Sequence, residues 1–458
     1  MREDINDVQF HFNLSIHEST TFKEMERMCM KSKWKKICLT WLTVFLFVMV
    51  VACSDGAFVK DMENKETKEK VTLEFLWFSA GIEGEVMRKI IKEYQAKNDH
   101  VEIKLIEVGY RDLETKLKTM IASGQPPSLT RISNTGIFAE QALDLSSYVG
   151  GVDEFTSQFL PSIKPYYVKG DKIIATPMDV SSNGLIYNKT LFEKAGATVP
   201  QSPDEVWTWD EFAAVIQKVK EKGGAKYGLV IDGTPHRYST LLYEFGGSIF
   251  TEDLSKPAIN NEEGVAALDY FINLHKVGII PESVWLGGEN PGKLFRSGTT
   301  AAYLAGNWML SNYKDIENFE WGVTYLPKNE IRSSVPGGNY IMGFKNTGLE
   351  DETADFINYL SSQEINAKFN QESLFLSARK DNSELDYEFG KEMFKTFSNE
   401  LENTPMAAAN DWGNQVVISK VSSDMTDAVV EALSGETTSK EAMDKVAKAL
   451  EQAIVDTE

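Results

Sequence analysis

Cysteine is scarce in this chain of 458 residues, and its placement excludes disulfide bonds from nearly all of the sequence. The cysteines are Cys29, Cys38 and Cys53, so none follows residue 53. Secreted domains that cannot build a sufficient core usually rely on disulfides. The residues after Cys53 must therefore be stabilised by their own hydrophobic core, and they are numerous enough for about two domains.

Histidine is also rare, and the common catalytic motifs are absent from the sequence. Beyond residue 53 the histidines are His100, His236 and His275, far apart from one another. Zinc sites usually need clustered histidine, cysteine or carboxylate ligands. We find no phosphate-binding loop, no dinucleotide-binding glycine motif and no H-E-x-x-H, G-x-S-x-G or C-x-x-C. The sequence therefore predicts no enzyme activity, no metal site and no cofactor.

Positive charge is in short supply relative to negative charge. The chain has 47 Lys and Arg against 68 Asp and Glu, a formal net charge of −21. Nucleic-acid binding depends on Lys and Arg that neutralise phosphates, so this balance argues against a nucleic-acid partner. It also disfavours lying flat on an anionic membrane leaflet. With so many carboxylates, acidic pairs such as Asp351-Glu352 are inevitable and do not by themselves indicate acid–base catalysis.

Long apolar runs are limited to residues 37–52, near the N-terminus. The basic residues before this run are Lys31, Lys33, Lys35 and Lys36. A basic region, an apolar region and a small residue are the pattern of a secretory signal, and the run is shorter than the roughly 20 residues of a spanning helix. Ala52 followed directly by Cys53 resembles a bacterial lipoprotein signal, in which the cysteine becomes the lipidated first residue. An uncleaved signal anchor is the alternative.

Residues 1–30 do not fit this signal, because they separate the lysines from the N-terminus, where a signal should begin. Met28 and Met30 lie just before Lys31, so we interpret residues 1–30 as an extension that results from a misassigned start. Residues 31–52 are then the signal peptide, and residues 53–70 are the lipidated cysteine and a flexible, charged tether. We expect the rest of the chain outside the cytoplasm, lipid-anchored to the bacterial cell membrane.

From residue 71 the pattern changes to alternating strands and helices. Residues 71–78 and 101–108 are β-rich, and residues 84–98 carry apolar side chains at helical spacing. Such a strand, helix and strand with short links form a βαβ unit, hence a parallel sheet. The alternation returns with strands predicted at 184–187 and 227–231. Capping boxes are predicted at Thr208 with Glu211 and at Thr438 with Glu441.

Short segments of this α/β region carry a resemblance to a known family. In chain order they are 174–180 (IATPMDV), 184–189 (GLIYNK), 191–196 (LFEKAG), 208–212 (TWDEF), 295–302 (FRSGTTAA), 306–308 (GNW), 321–323 (WGV), 326–327 (LP) and 376–380 (LSARK). In this order and spacing, over residues 71–458, they resemble the bacterial extracellular solute-binding proteins of ABC importers (family 1), the branch that includes the maltose-binding protein.

The resemblance implies an α/β, two-lobed periplasmic-binding-protein-like fold (type II). Each lobe is expected to be a mainly parallel sheet flanked by helices, and a multi-crossing hinge joins the lobes. The crossings are expected near 179–182, 325–327 and 380–400. Lobe 1 is then predicted as residues 71–179 and 327–380, and lobe 2 as residues 180–326 and 381–458.

The same resemblance implies a function. A substrate-binding lipoprotein of this kind captures a mono- or oligosaccharide between its lobes and delivers it to the transmembrane permease subunits of an ABC importer. It makes and breaks no bond. We expect a monomer, because both lobes must be presented to one permease.

The candidate ligand-binding residues follow from the resemblance and from side-chain chemistry. Trp308 and Trp412 match tryptophans of the family that stack on a sugar, although a tryptophan is more often simply core. The polar candidates are Ser79, Glu83, Asn134, Asp179, Asn307, Gly338, Asn339 and Arg379. A carboxylate at Asp179 can accept two hydroxyls, or it can stabilise a hinge turn. Arg379 either clamps a polar ligand or holds its lobe together.

The sequence also departs from the maltose-binding branch. Ser181 stands where that protein has an acid, and His236-Arg237 stand where it has two aromatic residues, so specificity for maltodextrins does not transfer directly. A receptor for glycerol phosphate or another small polar solute is therefore an alternative, with Arg237 or Arg379 as the phosphate partner. A carbohydrate-active enzyme on a similar scaffold and a surface adhesin or sensor are the others.

Overall fold

The computed structural model describes residues 69–457, and these begin with the predicted βαβ unit. Strand β1 (Val71–Trp77) is followed by helix α1 (Glu83–Lys97) and strand β2 (Val101–Glu107). The two strands pair in parallel, from Val71 opposite Val101 to Trp77 opposite Glu107. Helix α1 buries its predicted apolar face over the sheet, namely Val86, Met87, Ile90, Ile91 and Tyr94. The predicted unit is confirmed.

The remaining strands are β3 (Leu129–Ile132), β4 (Val168–Lys169), β5 (Lys172–Ile173), β6 (Thr176–Ser181), β7 (Asn183–Asn188), β8 (Tyr227–Ile231), β9 (Thr300–Gly306), β10 (Trp321–Thr324) and β11 (Gly337–Gly343). The remaining helices are α2 (Leu113–Ala122), α3 (Val152–Ser157), α4 (Lys164–Tyr167), α5 (Lys189–Ala195), α6 (Trp209–Lys218), α7 (Pro235–Glu244), α8 (Glu262–Lys276), α9 (Glu282–Trp285), α10 (Pro291–Arg296), α11 (Met309–Tyr313), α12 (Glu350–Ser361), α13 (Gln363–Ser373), α14 (Lys391–Glu402), α15 (Met406–Gly413), α16 (Gln415–Ser434) and α17 (Ser439–Val455).

Both predicted capping boxes are present and start the helices where the sequence placed them. The Thr208 side chain accepts from the backbone of Glu211, and the Glu211 carboxylate accepts from the backbone N–H of Thr208, so helix α6 begins at Trp209. Thr438 and Glu441 form the same pair at the start of α17. These reciprocal bonds satisfy N–H groups that the first turn of a helix leaves without a partner.

The strands form two larger sheets and one two-stranded ribbon. The five-stranded sheet has the order β2-β1-β3-β11-β6, the four-stranded sheet has the order β10-β7-β9-β8, and β4 pairs with β5. Strands of the five-stranded sheet come from both sides of the segment that builds the four-stranded sheet. The assignment of all remaining residues to two lobes stays a prediction.

The prediction of mainly parallel sheets holds for every strand except one in each of the two larger sheets. Strand β11 is antiparallel to both β3 and β6, and β7 is antiparallel to both β10 and β9. These two strands are reversed because of where the chain crosses between the sheets. The chain leaves one sheet, crosses, and enters the other sheet at the start of β7 or β11, so both strands run away from the crossing. Their neighbours in each sheet run toward it. Because the reversed strand lies inside each sheet, the pairing is mixed.

The first crossing consists of one residue, Ser182, between β6 and β7. Its N–H donates to the Asn307 side chain at 3.1 Å, and its hydroxyl donates to the carbonyl of Phe397 at 2.7 Å. Ser182 is buried, and both of these partners belong to segments that pack with the four-stranded sheet. Across residues 69–457, no helix has the length and apolarity needed to cross a membrane.

Candidate functional site

The loops that follow the strands of the two sheets meet at the crossing and form the candidate site. In the five-stranded sheet, residues 79–81 follow β1, and in the four-stranded sheet helix α11 follows β9. A Cβ atom placed on Gly81 would lie 2.7 Å from the hydroxyl oxygen of Ser311, so these two loops touch. Ligands of α/β sheets bind outside the carboxyl ends of the strands, which is where this contact lies.

Four side chains form a continuous series, which we call the aromatic row: Trp308, Arg237, His236 and Trp412. The guanidinium carbon of Arg237 lies 4.6 Å from the ring centre of Trp308. Nη1 of Arg237 is 2.6 Å from Nδ1 of His236. The His236 ring centre lies 4.6 Å from that of Trp412. The structure therefore brings the two predicted tryptophans together, joined by the two residues that depart from the maltose-binding branch.

Local structure explains why these side chains converge. Thr234 caps helix α7 and accepts from the N–H of Arg237, which places His236 and Arg237 in the first turn. The Trp308 ring lies directly on Gly306, where a Cβ atom would overlap it, so this position must be glycine. Trp412 projects from α15, and its indole N–H donates to the Ser239 hydroxyl at 3.0 Å.

The row contains one cation, Arg237, and one imidazole, His236, and the carboxylate of Asp232 lies beside it. Nε of Arg237 lies 3.4 Å from a carboxylate oxygen of Asp232, and the other oxygen accepts from the Tyr303 hydroxyl at 2.9 Å. Desolvation, and then the charge of Arg237, lower the pKa of His236 to about 3, so the ring stays neutral near pH 7. The row thus offers aromatic surface and N–H donors side by side.

Three of the predicted polar residues form a buried ionic network with an arginine that sequence reasoning missed. We call Arg131, Glu83, Asp179 and Asn339 the arginine cluster. Arg131 donates to Glu83 at 3.1 Å and to Asp179 at 3.0 Å, and all three side chains have 0% exposure. Asp179 also accepts from the backbone and the side-chain amide of Asn339. Burial raises the pKa of Asp179, and Arg131 opposes that shift.

The other predicted residues have varied surroundings. Ser79 is exposed and accepts from the Trp77 indole N–H at 3.0 Å. Asn134 is half-buried, and its Oδ1 has no hydrogen-bond partner among the described residues. Asn307 is buried, and its Nδ2 likewise has none. Gly338 has φ +151° and lies so close to Asp179 that a Cβ would be 2.5 Å from its carbonyl oxygen.

Arg379 is not brought to the aromatic row. Its guanidinium donates twice to Asp381 at 2.8 Å and to the Ser361 carbonyl at 2.8 Å, and it lies over the Phe159 ring. With 7% exposure and these partners, it holds segments of the five-stranded side together.

Two further residues at the loops were also missed. Tyr110 follows β2 and is 61% exposed, with its ring against Phe78 and its hydroxyl 3.3 Å from that of Ser133. Gln415, at the start of α16, donates to the Ser133 carbonyl and accepts from the N–H of Gly136. An exposed aromatic after a strand could have indicated Tyr110, whereas Gln415 gave no signal in the sequence.

The second crossing, from β10 to β11, is held by a buried glutamate. Glu400 accepts from the N–H of Leu326 at 2.9 Å and from Arg332 at 3.1 Å. Burial raises the pKa of Glu400 from 4.5 to about 7, although Arg332 opposes the shift. The folded state therefore holds a proton that the unfolded state has released between these two pH values.

This linkage predicts how stability depends on pH. Between pH 4.5 and about 7, the contribution of Glu400 to the free energy of unfolding should fall as pH rises, with a slope approaching about 1.4 kcal/mol per pH unit. In Glu400→Gln the stability relative to the parent protein should therefore rise across this window and stay constant above it. Urea unfolding of both proteins checks this, with exposed Glu330→Gln as the control. Parallel curves for Glu400→Gln and the parent would contradict it.

Metal ligation is not offered by the described part of the chain. Within residues 69–457, no group of three or more His, Cys, Asp or Glu side chains is placed to hold a metal ion.

The loops that follow the two sheets meet where the chain crosses between them, which is the arrangement expected of a solute-binding protein. The profile of the bacterial extracellular solute-binding proteins matches residues 89–392, more than half of the sequence. The chain belongs to this family, whose members bind solutes without catalysis, so the prediction that it is not an enzyme is confirmed.

Individual proteins agree with this assignment. The sn-glycerol-3-phosphate-binding periplasmic protein UgpB of Rhizobium meliloti is 26% identical over 334 residues, 66% of this chain and 74% of that protein. The multiple sugar-binding protein of Streptococcus mutans is 27% identical over 205 residues, 43% of this chain and 44% of that protein. The ABC substrate-binding protein Lmo0181 of Listeria monocytogenes, solved in complex with cycloalternan, superimposes with a TM-score of 0.73 at 24% identity, over 84% of this chain and 99% of that chain. The superposition confirms the predicted periplasmic-binding-protein-like fold.

Proposed function

We propose that this protein is the substrate-binding lipoprotein of an ABC importer and that it captures a mono- or oligosaccharide between its two lobes. The observation that carries the proposal is the aromatic row at the meeting point of the two sheets. A sugar has apolar C–H faces and a polar rim, so indole rings beside N–H donors suit it. The sugar-binding relative and the structure with cycloalternan support the same class of ligand.

The contacts are assigned by exposure and by free hydrogen-bonding groups. Trp308 and Trp412 supply the aromatic surface. Ser79 is exposed and Asn134 is half-buried with an Oδ1 that has no partner among residues 69–457, so these two supply polar contacts. Asn307 has 0% exposure, and its side chain instead accepts from the N–H of Ser182 at the first crossing. The remaining candidates do not contact the ligand but hold the binding surface in place; they are Glu83, Asp179, Gly338 and Asn339. A micromolar affinity, about −8 kcal/mol, requires only a few such contacts.

The experiment that tests the proposal is a thermal-shift screen of neutral mono- and oligosaccharides against the purified domain. A ligand that binds only the folded state raises the unfolding midpoint. We expect at least one sugar to do so and to reduce the radius of gyration in small-angle scattering, because hinge closure is the motion that two lobes joined at crossings allow. A panel without any shift would contradict the proposal.

A second candidate ligand is an anionic polyol such as glycerol phosphate. The observation that favours it is Arg237, whose guanidinium lies over part of the half-buried Trp308 ring and places a cation beside the aromatic surface. Arginine pairs well with phosphate oxygens, and the Rhizobium relative binds such a ligand by name. Arg237→Met separates the candidates. It should abolish binding of sn-glycerol 3-phosphate if that is the ligand, and it should leave binding of a neutral sugar largely intact.

We also propose that the chain is cleaved before Cys53, lipidated there and anchored to the membrane, where it delivers its ligand to the permease as a monomer. Cys53 lies outside the described residues, so support comes from the lysine cluster, the short apolar run and the small residue before the cysteine. Cys53→Ala should leave unprocessed precursor or release the protein from the membrane fraction, as fractionation and mass measurement would show. A mature, still anchored variant would contradict the lipid anchor.

A further inference from the structure

The arginine cluster connects parts of the chain that are far apart in sequence. Arg131 lies in β3 with its guanidinium 4.9 Å from the Trp77 ring centre and 4.6 Å from that of Phe78. Nη1 donates to the Phe78 carbonyl at 3.0 Å. The side chain is fully buried, so every polar partner of the guanidinium is supplied by the protein.

One branch of the cluster reaches the loop that meets the other sheet. The two carboxylate oxygens of Glu83 accept from the backbone N–H groups of Ala80 and Gly81, each at 2.7 Å. These are the short distances of charge-assisted hydrogen bonds. The same loop carries Ser79 and contacts Ser311 of the opposite side.

The other branch reaches the strands at the crossing. Asp179 lies in β6, three residues before Ser182, and its carboxylate accepts from the N–H and Nδ2 of Asn339 at 3.1 and 3.0 Å. Asn339 lies at the start of β11, just after the second crossing. Both crossings are therefore joined to the loop after β1 through a single guanidinium.

Electrostatics makes the two branches depend on that guanidinium. Two fully buried carboxylates share one arginine, so removing it leaves both without their cationic partner in the interior. An unpaired buried charge is strongly unfavourable, and the two carboxylates can avoid it by leaving their positions. Losing Arg131 therefore weakens the bonds that fix Ala80, Gly81 and Asn339.

We propose that Arg131 is a positioning residue for ligand binding: it pairs with Glu83 and Asp179, and these hold the Ser79–Gly81 loop and Asn339 in place for a ligand that Arg131 does not touch. The inference rests on the proposed function as a solute receptor. It also gives Glu83 and Asp179 a role from beneath the binding surface rather than as contacts.

The test compares Arg131→Met with Arg379→Met, because both arginines are buried, ion-paired and stacked on aromatic rings of the five-stranded side. Amide hydrogen exchange of the ligand-free proteins is the first readout. We expect the amides of Ala80, Gly81 and Asn339 to exchange at least about tenfold faster in Arg131→Met, about 1.4 kcal/mol of local opening, and to be unchanged in Arg379→Met. Unchanged protection in Arg131→Met would overturn the inference.

Calorimetry with maltose, sucrose and sn-glycerol 3-phosphate is the second readout. Any probe that binds the parent protein should bind Arg131→Met at least about tenfold more weakly and Arg379→Met normally, even if both variants unfold at lower temperature. Equal losses in both variants would mean that Arg131 is merely structural. If none of the three probes binds the parent protein, none of them is its ligand, while hydrogen exchange still decides the positioning role.

Should Arg131→Met fail to fold, Glu83→Gln provides the same comparison. It keeps the shape of the side chain and removes its charge, so exchange at Ala80 and Gly81 should rise while Asn339 stays protected. Faster exchange at all three amides, or at none of them, would overturn the assignment of separate branches.

Discussion

Trp308→Ala is expected to weaken ligand binding by about 10- to 150-fold, or about 1.5–3 kcal/mol, the value of burying a large apolar side chain. Ligand hydroxyls exchange water hydrogen bonds for protein ones at a net gain of only about 1 kcal/mol each. An indole ring removes apolar surface of the ligand from water without that exchange. The Trp308 ring also packs against the guanidinium of Arg237. The loss should therefore appear with either candidate ligand. Calorimetry with the ligand found in the thermal-shift screen measures it.

Two variants serve as controls for this prediction. Gly306→Ala places a methyl group where the Trp308 ring lies, so it should displace the ring and mimic Trp308→Ala. Trp321 is equally half-buried but packs against Tyr313 and Phe389, away from the aromatic row. Trp321→Ala should lower stability and leave affinity unchanged. Normal affinity in both Trp308→Ala and Gly306→Ala would remove the aromatic row from the binding site.

Asp411→Ala is expected to destabilise the fold by roughly 3 kcal/mol or more, because it leaves several buried donors without an acceptor, each costing about 1–3 kcal/mol. Asp411 accepts from the Tyr243 hydroxyl at 3.0 Å and from the backbone N–H of Ile249 at 2.7 Å. It stands next to Trp412 in α15, so it ties one end of the aromatic row to α7 and to the loop after it.

Asp411→Asn keeps one acceptor oxygen and should cost clearly less than Asp411→Ala. Asp444 is the control, since its carboxylate also accepts hydrogen bonds, from Lys440 and Asn260, but lies at the surface. Asp444→Ala should change stability by less than about 1 kcal/mol, as exposed ion pairs do. Urea unfolding measures all three variants. A loss at Asp411 no larger than that at Asp444 would show that the buried acceptor is dispensable.

The sequence predicted those parts of the fold that depend on neighbouring residues. The βαβ unit and the two capping boxes follow from spacing within about 30 residues, and the structure confirms them. The directions of β7 and β11 could not be predicted from the sequence. These strands are antiparallel to their neighbours because of where the chain enters their sheets, and no pattern of neighbouring residues indicates that entry point.

The candidate site also has residues that the sequence could identify and contacts that it could not. Trp308 and Trp412 could be named from the resemblance, but Arg237 lying over one ring and His236 against the other depend on how α7, β9 and α15 pack. From the sequence, Glu83 is expected in an accessible loop and Asp179 at an accessible hinge. Their burial depends on Arg131, which stands 48 residues from each of them in sequence. A single arginine within an apolar strand is visible in the sequence, but its partners are not.

The place of β11 in the five-stranded sheet also sets the order in which the chain can fold. It lies between β3 and β6, so β6 has no strand to pair with until residue 337 and beyond are available. All strands of the four-stranded sheet lie between residues 183 and 324, so that sheet can be complete first. Pairing between residues so distant in sequence closes long loops and is intrinsically slow. The half of the molecule that is encoded first is thus the half that finishes last, and until then it exposes unpaired strand edges on which other chains can aggregate.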